Sequence, residues 1–168
     1  MPSQVIFLTQ TALGYLAWGL LFATYVLPKM KLMDRLGVLR AITTFHSFRF
    51  FGLIFILPGV VGPDLPPTFA TFAAYGDFAT GVLALLALVS FRIPALFYSL
   101  FVAFNVIGAV DILVDYYHGT IFNLPQIAGQ LGAGYAIPIL YVPALMITHG
   151  VAFYLLTRPE RQAVPRPA

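Results

Sequence analysis

Three histidines, one arginine and three aspartates interrupt stretches of the chain that are otherwise apolar: His46, His118, His149, Arg49, Asp77, Asp111 and Asp115. An ionisable group in hydrocarbon costs about 2.5–3.5 kcal/mol, so those that remain there face a protein interior and are the natural functional candidates. Arg49 and Asp77 are the first pair to consider. Their plain role is a salt bridge that fixes helix register, and their sharper role is an anion or proton site. His46 lies three residues before Arg49 and shares its helix face. His149 falls at a comparable depth in the last apolar stretch, so the two imidazoles could hold a b-type haem from opposite helices, with Arg49 at a propionate.

Asp111, Asp115 and His118 recur at i, i+4 and i+7, which puts oxygen and imidazole ligands on one helix face and makes them a candidate metal site. The two aspartates are similar in spacing to the D-x-x-x-D element with which membrane prenyl- and phosphatidyl-transferases hold magnesium and a diphosphate. The second acidic motif and the Asp-Gly and Ala-Arg core of those enzymes are absent. The plain reading of the same residues is a polar helix end that meets water.

These residues need elements to position them, and composition says what kind. With 168 residues, 60% of them apolar and 9% charged, the chain is far outside the range of soluble domains and expects lipid as its solvent. Five apolar stretches, roughly 5–27, 41–61, 68–91, 94–117 and 131–157, are each long enough as a helix to cross about 30 Å of hydrocarbon. A β-barrel would alternate in polarity, and the run Val82-Leu83-Ala84-Leu85-Leu86-Ala87-Leu88-Val89 does not. The expectation is an all-α, polytopic membrane bundle: one five-helix domain over 1–157, then a short mobile tail over 158–168.

Cations set the orientation. Lys29, Lys31, Arg35 and Arg40 fill the first connection, Arg92 the third, and Arg158, Arg161 and Arg166 the tail, while the second and fourth connections have none. An outer N-terminus and a cytoplasmic C-terminus in the inner (plasma) membrane put eight of the nine cations, all but Arg49, on the cytoplasmic side. Cations that flank spans in this way do not make the solvated basic face a nucleic-acid partner requires.

Counting rise from the flanking arginines gives depth. His46 comes to about 9 Å, Arg49 and His149 to about 13 Å, Asn105 to about 20 Å and Asp77 to about 22 Å. Asp111, at about 28 Å, falls level with Gln10 in an outer layer that continues to Asp115 and His118. Pro138 and Pro143 should kink the fifth span and free the carbonyls of Gly134 and Ile139, which Tyr135, Tyr141 or water could serve.

Zero cysteines exclude thiol chemistry and disulfides, and the only lysines, Lys29 and Lys31, sit in a connection where no retinal Schiff base forms. No catalytic set is complete, which points away from an enzyme. The first reading is a membrane protein that binds or transports a small solute or lipophilic ligand in a polar cavity built from Arg49, Asp77, Asn105, Asp111, Gln10, Tyr135 and Tyr141. The alternatives are a haem b electron carrier ligated by His46 and His149, and a structural subunit of a homo-oligomer or larger membrane complex.

Overall fold

A computed structural model describes residues 1–158, all helix, turn and loop with no strand among them; past Arg158, the tail expected over 158–168 lies outside the described residues. Five helices are long and apolar enough to cross a membrane: α1 (Ser3–Met30), α2 (Arg35–Ile56), α3 (Pro67–Val89), α4 (Pro94–Ile121) and α5 (Ile137–Thr157). Local chemistry sets where they begin. Pro67 and Pro94 open α3 and α4 at a first turn, where a missing amide costs nothing, and the Asp34 carboxylate caps α2 by accepting from the Gly37 amide at 3.1 Å.

Three of the five helices are irregular, each for a readable reason. Ahead of Pro28, which has no amide to offer the Thr24 carbonyl, α1 widens to a π-helical turn over Phe22–Val26. The same happens in α5 over Ile137–Tyr141, ahead of Pro143. The fifth span therefore begins at Ile137 rather than near residue 131. The segment Ala128–Tyr135 before it is a separate 3₁₀ stretch broken at Gly132, whose φ of 54° only glycine adopts easily and where a Cβ would run into the Val60 carbonyl. Tyr135 and Tyr141 do not serve the freed carbonyls as expected, because Tyr135 donates to Gln10 and Tyr141 donates to the Phe45 carbonyl at 3.2 Å. Instead Gly14 of α1 lies directly against the Ile139 carbonyl, where a Cβ would overlap it.

The third irregularity matters most. From Ser47 to Ile56, α2 continues as a 3₁₀ helix, a run of ten residues where three or four are usual. With three residues per turn, Arg49, Gly52 and Phe55 stack in one line, and all three are buried. This line packs along α3, whose buried residues, apart from Phe69 against Phe55, are short: Ala70, Ala73, Ala74, Asp77, Thr80, Gly81, Ala84 and Ala87.

Packing repeats one order along α2 to α5. An apolar cluster with Leu39, Ala84, Phe97, Phe101 and Ala152 fills the end where Arg35 donates to the Arg158 carbonyl and Arg40 stacks on Phe91. A second cluster with Phe55, Phe69, Ala73, Leu131 and Ile137 fills the opposite end. Between the two lies a polar layer of Thr43, His46, Arg49, Asp77, Thr80, Asn105, Asp111 and His149, all buried. By contrast, α1 buries only Phe7 and Gly14 over Ser3–Leu21.

Two glycines test this packing. At Gly81 an added Cβ would lie 2.8 Å from the Phe50 backbone nitrogen, so Gly81→Ala should lower stability in detergent by about 1–3 kcal/mol. Gly150→Ala, with nothing within 4 Å of the new methyl, should leave stability unchanged or raise it by about 0.5–1 kcal/mol in the same unfolding assay.

Candidate functional site

Arg49 has no solvent exposure and satisfies its guanidinium entirely inside the protein. Its Nε donates to Asp77 Oδ1 at 2.6 Å, and its Nη2 donates to Asp111 Oδ2 at 2.6 Å. Nη1 donates to the Gly108 carbonyl at 3.0 Å and faces His149 Nε2 at 3.3 Å. One cation thus ties α2 to α3, α4 and α5.

The sequence-based depth count placed Asp111 in an outer layer, and the structure moves it into the Arg49 network. The cause is the start of α2. The helix begins at Arg35 rather than beside Arg40, and five more residues set Arg49 about 7.5 Å further from the helix start.

Glycines make this approach feasible. A Cβ at Gly52 would overlap the Asp77 carboxylate, one at Gly76 would overlap that of Asp111, and one at Gly108 would overlap Arg49 Nη1. Gly52, Gly76 and Gly108 each face a charged side chain, a relation across helices that spacing along one helix does not reveal, while Gly81, four residues after Asp77, faces the α2 backbone.

Hydrogen bonding assigns the histidine tautomers. Because Nε2 of His149 accepts from Arg49, its Nδ1 donates to Asn105 Oδ1 at 3.0 Å, and Asn105 turns its amide nitrogen to the Phe101 carbonyl. The Thr148 hydroxyl donates to the Ala144 carbonyl and so accepts from His46 Nε2 at 2.9 Å, which leaves His46 Nδ1 buried without a partner. The two rings lie against one another with centroids 4.2 Å apart. That is a correction to the haem expectation: no porphyrin fits between rings so close, and the His149 nitrogen that would bind iron faces a guanidinium instead.

The metal expectation is corrected as well. Among the described residues no three His, Asp or Glu side chains gather as a ligand set. Asp111 turns to Arg49, while His118 sits among Phe72, Tyr117 and Phe122.

Beside the network lies a cavity of about 170 Å³ with walls from all five helices. Its lining is largely apolar and aromatic, with Phe7, Phe55, Phe69 and Tyr116, and its two charged residues are Asp77 and Asp115. Of the residues expected to build a polar cavity, Asp77 alone lines this one. Arg49, Asn105 and Asp111 are closed into the network behind it, Gln10 pairs with Tyr135, and Tyr141 holds the α2 backbone. Phe7, Phe55, Phe69 and Tyr116 escaped notice because aromatics are spread throughout the chain and their convergence depends on helix order.

A family described as a domain of unknown function, DUF8737, matches residues 6–157, a stretch that holds nearly all of α1, the whole of α2 to α5, the network and the cavity. The chain belongs to this family. Comparison with curated proteins and with solved structures finds no match.

If Arg49 is the shared partner of two buried carboxylates, removing it strands both. Arg49→Met should cost about 3–5 kcal/mol in detergent unfolding, and adding Asp77→Asn and Asp111→Asn to that variant should recover most of the loss.

Proposed function

We propose that this is a multipass inner-membrane protein that takes an amphipathic small molecule into the cavity beside the Arg49 network. The observation that carries this reading is the cavity itself. Aromatic and aliphatic walls supplied by five apolar helices end at two carboxyl side chains, Asp77 and Asp115, the combination expected of a pocket that buries an apolar body and orients one polar head. The carboxyl side chains are rigidly backed. Asp77 is held through Arg49 to three other helices, so its position is fixed before anything binds.

The membrane setting rests on the five apolar helices and on the distribution of Lys and Arg, which favours a cytoplasmic C-terminus and an outer N-terminus. Entry from the lipid phase is supported by α1. It forms part of the cavity wall through Phe7, Leu8 and Thr11, is little buried, and reaches α4 by a hydroxyl contact between Tyr15 and Tyr116. A helix with so few anchors is the wall that can move at least cost.

Two measurements test this reading. The chain has no cysteine, so single cysteines introduced at Ser3 and Arg158 should be labelled by an impermeant reagent from opposite faces of intact cells; labelling from the same face contradicts the five-span topology. Native mass spectrometry of protein released with its own lipids should show a retained small molecule, and Gly119→Phe, at a cavity position with room for a Cβ, should expel it. Protein that carries no small molecule, or an identical adduct on Gly119→Phe, overturns the assignment of the cavity as a binding site.

A further inference from the structure

The cavity holds more hydrogen-bond acceptors than donors, and that imbalance identifies the head group it would take. Asp115 Oδ1 is buried and receives no hydrogen bond, although nearly every buried polar atom in a folded protein has a partner. Donors from the protein are committed elsewhere. Arg49 directs its three nitrogens to Asp77, Asp111, the Gly108 carbonyl and His149. The Thr11 hydroxyl donates to the Phe7 carbonyl, the Thr120 hydroxyl to the Tyr117 carbonyl, and Tyr116 shares its hydroxyl with Tyr15.

Charge points the same way. Both charged residues that line the cavity are acidic, and the guanidinium beside it is paired with Asp77 and Asp111, which leaves Asp115 without a cation partner among the described residues. Around them stand Phe7, Phe55, Phe69 and Tyr116, whose ring faces attract a cation once water is excluded. A bare metal ion does not suit the site, because aromatic walls offer it no ligands and no third His, Asp or Glu joins a coordinating group among the described residues.

Resting on the reading of this cavity as a ligand site, we infer that its occupant is an amphipathic amine, bound as the ammonium. The N–H donors sit on Asp115 and on the cavity side of Asp77, and the apolar body lies among the four aromatic rings. Arg49 keeps Asp77 and Asp111 in place and does not itself contact the ligand.

The test compares phenylbutylamine, phenylbutanol and phenylbutyrate, one apolar body with a cationic, a neutral and an anionic head, by calorimetric titration of the full chain in detergent. The amine should bind about tenfold or more tighter than the alcohol, and the carboxylate most weakly. Asp115→Asn should remove the preference for the amine while the alcohol still binds. Asp64→Asn, which deletes the same charge in an exposed loop, should leave the preference intact. The comparison of head groups on the unaltered chain decides the matter even if Asp115→Asn does not fold. Equal binding of amine and alcohol, or a preference that survives Asp115→Asn, overturns the ammonium assignment and leaves the ligand cavity standing. If none of the three binds and Gly119→Phe changes nothing, the ligand reading itself falls.

Discussion

A guanidinium with no access to water must find every partner inside the protein, and Arg49 finds them on three other helices. The rest of the architecture accommodates that demand. A buried ion pair is by itself weak evidence of stability, since the desolvation of both partners can cancel their attraction. What it supplies is selection among arrangements: in an apolar environment, slipping α2 by one turn past α3 would leave Arg49, Asp77 and Asp111 with no substitute partners.

Several oddities of the backbone become intelligible from this constraint. The long 3₁₀ stretch in α2 aligns Arg49, Gly52 and Phe55, so that the cation, a gap for the Asp77 carboxylate and an aromatic of the next apolar cluster follow one another along a single seam. Gly76 and Gly108 remove the atoms that would otherwise hold the Asp111 carboxylate and the guanidinium apart. His149 and Asn105 complete the layer as paired neutral groups, and apolar clusters close it from both ends. α1 stands outside this arrangement, contributing Phe7 to a cluster and Gly14 to a close contact, with a cavity left between it and the network.

How much of this the sequence disclosed depends on the range of the interaction that decides each feature. Helical class and the number of apolar helices were legible because hydropathy is a local property. The boundaries slipped where a single residue overrode the average: Arg40 looked like the end of a span but lies inside α2, stacked on Phe91, and Gly132 breaks the chain just where the fifth apolar stretch seemed to begin. Arg49 and Asp77 could be proposed as partners from their rarity, and the structure brings them together. Asp111 could not be added, because that depends on the true start of α2 and on glycines facing across helices. The histidines show the reverse error. Equal depth in two helices suggested a cofactor, whereas Asn105, Thr148 and Arg49 occupy the imidazole nitrogens that a cofactor would require.

The proposed binding site lies beside the charge network rather than within it. The network is closed and saturated at Arg49, while the cavity beside it is lined by Asp77 and by Asp115, whose Oδ1 finds no partner among the described residues. The claim on which all of this rests is that one guanidinium joins two carboxylates from different helices. Dipolar-coupling NMR of the protein in bilayers, with labelled arginine nitrogens and aspartate carboxyl carbons, measures it directly. Arg49 Nε should couple strongly to the Asp77 carboxyl carbon and Nη2 to that of Asp111; coupling to only one aspartate, or to neither, would contradict the account.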